Sequence, residues 1–161
     1  MNKTQRITRL ALTVAVAMLL SYIESCLPSF TAVPGIKMGL ANIAVIFALY
    51  RFGLREAVVV SLTRVFLMAL LFGSVVSMLY GLAGAVVSIL LMELMRRFSP
   101  FSTVGVSVLG GVAHNAGQIG AACIILKTDL LVYYMPILII SGTLAGIVTG
   151  IAAGMLIKRL K

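Results

Sequence analysis

Arg64 stands inside an otherwise apolar run at residues 57–72, nine positions past Arg55. At helical rise it lies about 13 Å deeper than Arg55, too deep for a side chain that only reaches back to a membrane surface. A guanidinium at that depth needs a cavity, a carboxylate or carbonyl groups around it. It suits recognition of a carboxylate, a phosphate or an electron-rich carbonyl, and its alternative role is a structural bond to another helix. A second polar group, His114, Asn115 and Gln118, occupies i, i+1 and i+4, and Gly111 leaves space three residues earlier. These three read as the lining of a cavity or as a hydrogen-bonded cluster that holds helices together. Asn42 at the mouth and Ser61, three residues before Arg64, complete the candidate substrate-binding set. Glu24 and Lys37 flank the segment 26–37 and serve either a ligand or each other.

Several kinds of chemistry lack the residues they require. No Gly-rich phosphate loop ending in Lys-Ser or Lys-Thr is present, so the chain does not hydrolyse ATP itself. Its four acids, Glu24, Glu56, Glu93 and Asp129, are divided between the two ends of the expected helices, and Asp129 reads as a helix cap. Magnesium-diphosphate catalysis needs carboxylates that converge, so the expectation is a protein that is not an enzyme and carries no cofactor. A lone His114 and two cysteines, Cys26 and Cys123, offer no metal-ligand spacing, and stability requires no disulfide between them.

The elements that must position these residues are helices in lipid. Of 161 residues, 61% are hydrophobic and 11% are charged, and the mean hydropathy is +1.17. In hydrocarbon every backbone amide needs an internal partner, which selects helices over open sheets. Six apolar runs, 7–25, 38–50, 57–72, 75–95, 104–126 and 130–157, predict a single all-α domain over 1–161 with six transmembrane helices. The first run has no convincing small-residue cleavage site and is read as a helix. The net charge of +9 comes from small basic groups at the ends of runs, which excludes a nucleic-acid surface and marks anchors instead. Lys3, Arg6 and Arg9, then Arg51 and Arg55, then Arg96 and Arg97, and finally Lys158, Arg159 and Lys161 fall on one side if six helices alternate. The positive-inside rule then places both termini in the cytoplasm.

Small residues recur every fourth position at Gly142, Gly146, Gly150 and Gly154, at Ser77, Gly81 and Ala85, and at Ala113, Gly117 and Ala121. Such stripes let backbones approach, either inside the bundle or against another protein. The segment 26–37, with two prolines and a glycine, is long for a turn and reads as a lid or as an ordered cap.

Three stretches carry a resemblance: Val33-Pro34-Gly35-Ile36-Lys37-Met38-Gly39-Leu40-Ala41-Asn42, Ser61-Leu62-Thr63-Arg64-Val65, and Gly105-Val106-Ser107-Val108-Leu109-Gly110 followed by Ala113-His114-Asn115-Ala116-Gly117-Gln118. Over nearly its whole length the chain resembles the prokaryotic Gx transporter family, also known as heptaprenyl diphosphate synthase component I. That family is similar to the S components of energy-coupling factor (ECF) transporters, six-helix membrane proteins that capture small molecules outside the cell. The resemblance implies uptake of a small, partly apolar, anionic or carbonyl-bearing substrate together with a transmembrane coupling subunit and cytoplasmic ATPases. It also implies that Ala11 and Ala15 match the Ala-x-x-x-Ala contact for the coupling subunit. The alternative it carries is a non-catalytic membrane subunit associated with polyprenyl diphosphate synthesis, holding a polyprenyl substrate for a soluble synthase.

Overall fold

Backbone amides in so apolar a chain must find partners within it, and in the computed structural model they do so as α-helices; the structure describes residues 3–26, 39–98 and 101–159. The helices are α1 (Lys3–Cys26), α2 (Asn42–Arg51), α3 (Leu54–Phe72), α4 (Val75–Phe98), α5 (Thr103–Leu126) and α6 (Met135–Arg159), with a 3-10 turn at Leu130–Tyr134 leading into α6. Apart from Cys26, the segment 26–37 read as a lid or cap lies outside the described residues. Local chemistry sets the breaks. Gly53, at φ +114°, turns the chain sharply from α2 into α3, a conformation that L side chains rarely adopt. Ser102 caps α5 by accepting the Gly105 N–H at 3.2 Å.

The expectation of six membrane-spanning helices is corrected. Among the described residues four helical segments are long and apolar enough to cross: Lys3–Cys26, Val75–Phe98, Thr103–Leu126 and Leu130–Arg159. The other two fail for different physical reasons. With 10 residues, α2 is about 15 Å long, half the thickness of the hydrocarbon core. The 19 residues of α3 include Arg55, Glu56 and Arg64, a charge load that a lipid-facing span does not carry. Rather than facing lipid, α2 fills the middle of the bundle: Ala44, Val45, Ile46, Ala48 and Leu49 are all buried. They pack in one cluster with Ala17 of α1, Val60 of α3, Met92 of α4, Val106 of α5 and Ala153 of α6.

Polar contacts bring the basic helix ends together. Arg6 of α1 pairs with Glu56 of α3, Glu93 holds Arg96 at 2.7 Å and also pairs with Arg97, and the Arg96 guanidinium sits 6.0 Å from the centre of the Tyr50 ring in α2. The last turns of α6 run beside the start of α5, so Lys158 and Arg159 finish at this same end.

Along α5 and α6 the glycine stripe is an internal seam. A β-carbon at Gly146 would sit 2.5 Å from the Cα of Val108, and one at Gly150 would sit 2.7 Å from the Cα of Val104, both closer than packed atoms allow. Gly154 is outside the tight seam, since a β-carbon there would meet only Thr103 at 3.9 Å. Buried hydroxyls stitch the same layers: Ser107 and Thr149 are 3.0 Å apart, and Ser88 donates to the Gly110 carbonyl at 2.8 Å.

Candidate functional site

The bundle is solid towards its basic end and hollow away from it. There, all six helices contribute to a cavity of about 700 Å³ whose wall includes Arg64, His114, Asn115, Gln118 and Asn42. These five candidates come from α2, α3 and α5, and the fold brings them to one space. Ser61 is not among them. It is 3% exposed and belongs to the packed layer, because on the same face of α3 it lies about one turn nearer the solid basic end than Arg64, beside buried Ala57 and Val60.

Arg64 projects from α3 towards α1. Its Nη1 donates to Ser21 Oγ at 3.3 Å, a long contact for a guanidinium, while its Nε is buried with no hydrogen-bond partner. Glu24, one turn after Ser21, is close enough for a charge interaction with Arg64 and also accepts the Gly39 N–H. One carboxylate therefore faces both the cation and the stretch of chain that leads into α2. Of the two roles open to Arg64, the inter-helix contact is present but uses little of its donor capacity.

The α5 group divides. Asn115 Nδ2 donates to the Leu138 carbonyl of α6 at 2.8 Å, so part of this residue is spent on packing. His114 and Gln118 lie against Gly84 of α4: a β-carbon at Gly84 would meet the His114 carbonyl oxygen at 2.7 Å and Gln118 Cγ at 2.8 Å. That missing side chain lets α4 approach without covering the His114 and Gln118 face. Glu24, read from the sequence as serving a ligand or Lys37, lines the cavity, and Ser21 and Tyr80 are lining residues that sequence reasoning missed. For Ser21 the sequence signal is the spacing of Thr13, Ala17, Ser21 and Glu24, which the buried stripe of α1 follows.

Polar groups occupy part of the wall, and Val65, Met68, Phe72, Ile119 and Leu138 supply apolar surface beside them. The volume falls in the range of about 300–1,000 Å³ usual for small-molecule sites. An amphiphile with one hydrogen-bonding end and a hydrocarbon body fits this lining. Among the described residues no three His, Cys, Asp or Glu side chains gather, and Cys26 and Cys123 are both free thiols. Ala11 and Ala15 lie on the exposed flank of α1, away from the cavity.

A family model described as heptaprenyl diphosphate synthase component I matches residues 13–156, nearly the whole chain. No curated protein and no solved structure matches it. The family match overturns the expectation of an ECF-type uptake component, because it points to polyprenyl synthesis and nothing ties the chain to S components or to Gx transporters. With that expectation the coupling-subunit contact at Ala11 and Ala15 loses its support, since two exposed small residues four apart are ordinary on a membrane helix.

Proposed function

We propose, from the premise that this chain belongs to the heptaprenyl diphosphate synthase component I family, that it is a non-catalytic membrane subunit which holds an isoprenoid diphosphate for a separate soluble synthase. The observation that carries the reading is the amphiphilic cavity with the unspent guanidinium of Arg64 in its wall. An isoprenoid diphosphate joins a hydrocarbon chain to an anionic head, and each finds a counterpart there: apolar Val65, Met68 and Phe72 for the chain, Arg64 with Asn42 and Gln118 for the phosphates. The acids support a non-catalytic role. Glu56 and Glu93 are paired with arginines at the basic end, Glu24 is the one acid among the described residues that line the cavity, and magnesium-diphosphate chemistry calls for several converging carboxylates.

Mass spectrometry of lipids extracted from the purified chain tests this function. An enriched prenyl diphosphate is the expected result, and its absence from a folded preparation made in cells with an intact isoprenoid pathway overturns the reading.

The basic end faces the cytoplasm in this proposal, since Lys and Arg concentrate on the cytoplasmic side of membrane proteins. After Cys26 and Cys123 are replaced by serine, a cysteine introduced at Thr128 should react with an impermeant thiol reagent in intact cells, and one at Ser102 should not. Labelling at Ser102 from outside reverses the orientation.

A further inference from the structure

Away from the cavity, the first turns of α1 and α3 enclose a second recess of about 290 Å³ at the basic end. Its charged residues are Lys3, Arg6, Arg55 and Glu56, and its apolar ones are Ile7, Leu10 and Val59. Arg6 and Glu56 pair with each other, which leaves Lys3 and Arg55 as cations with no ion-pair partner among the described residues. Beside them Ile7 is 66% exposed and Val59 is 49% exposed. Two uncompensated cations next to exposed aliphatic side chains, on the flank of a membrane bundle, make a surface that neither water nor pure hydrocarbon satisfies.

We propose that this recess seats one acidic phospholipid, with its phosphate between Lys3 and Arg55 and an acyl chain over Ile7 and Val59. Free phosphate would answer the cations and leave the aliphatic wall wet. An acidic protein surface would do the same. A phospholipid answers both, and a basic recess between helices at the membrane surface is the ordinary form of a headgroup site. The recess shares no residue with the cavity, so it stands or falls separately from the isoprenoid reading.

The test uses the full chain in lipid nanodiscs of equal parts phosphatidylglycerol and phosphatidylcholine, with retained lipid counted by native mass spectrometry. Wild type should retain phosphatidylglycerol preferentially. Lys3→Gln combined with Arg55→Gln should cut that preference by about tenfold or more, since each basic group near a surface contributes roughly fivefold. Both residues are exposed, so an unchanged thermal midpoint is expected and separates loss of the site from loss of the fold. Val59→Asn keeps the cations and should still weaken retention. Equal retention of the two lipids by wild type, or an undiminished preference in the double variant, overturns the proposal. Displacement of the lipid by inorganic pyrophosphate assigns the recess to a soluble phosphate instead. Unchanged lipid preference with lost binding of a soluble synthase assigns the cations to a protein partner.

Discussion

Arg64→Ala, folded in detergent, should bind heptaprenyl diphosphate about 10- to 150-fold more weakly than wild type. A charge-assisted hydrogen bond contributes about 1.5–3 kcal/mol, and Arg64 has donors to give: Nη1 makes one long contact to Ser21 and Nε makes none. Glu24 raises the loss further, because without the guanidinium nearby its carboxylate repels an anionic ligand more strongly. Adding Glu24→Gln to Arg64→Ala should therefore recover part of the affinity. Arg64→Lys keeps the charge but not the planar fork, so it separates a point-charge role from paired hydrogen bonding. Gln118→Ala should cost less, about 0.5–1.5 kcal/mol for a neutral contact. Equilibrium binding of radiolabelled ligand measures all four variants. Wild-type affinity in a folded Arg64→Ala chain removes Arg64 from the site.

Ile46→Ala should destabilise the chain by about 2–5 kcal/mol, the usual cost of cutting a fully buried aliphatic side chain back to its β-carbon. Ile46 is 0% exposed and belongs to the buried apolar cluster at the centre of the bundle. Ile140, on the outer face of α6, is 62% exposed, and Ile140→Ala should stay within about 0.5 kcal/mol of wild type. Equilibrium unfolding in detergent compares the two. The contrast tests the placement of α2 as a core-filling helix, and equal losses would return α2 to the lipid boundary.

That placement also marks how far the sequence was legible. Hydropathy records the absence of water and not what replaces it, so the run at 38–50 looked like a short span although its partners are other helices. Lipid and protein interior are equally apolar neighbours for Val45 or Leu49. Charge was more readable. Arg64 announced a cavity or a partner by its depth alone, and the four basic groups announced a common end. The contact of Arg64 with Ser21, by contrast, joins residues 43 apart, and no local spacing encodes which carboxylate a buried guanidinium will meet. Ser61 shows the complementary error, since three residues along a helix bring two side chains near one another without giving them the same neighbour. The same family stretches carried polyprenyl synthesis as an alternative, while the family's similarity to S components gave the expectation of uptake.

Along Gly142, Gly146 and Gly150 the backbones of α5 and α6 come into direct contact, with only the short side chains of Ser107 and Asn115 beside them. So close a joint leaves the two helices little room to slide, and His114, Asn115 and Thr149 are features of that closely packed wall. The facing wall is built differently: beside Arg64, Met68 and Phe72 on α3 are jointed side chains with more rotameric freedom. For the proposed isoprenoid ligand, whose length grows by whole five-carbon units, such a wall would accommodate successive chain lengths while Arg64 holds the same head group each time.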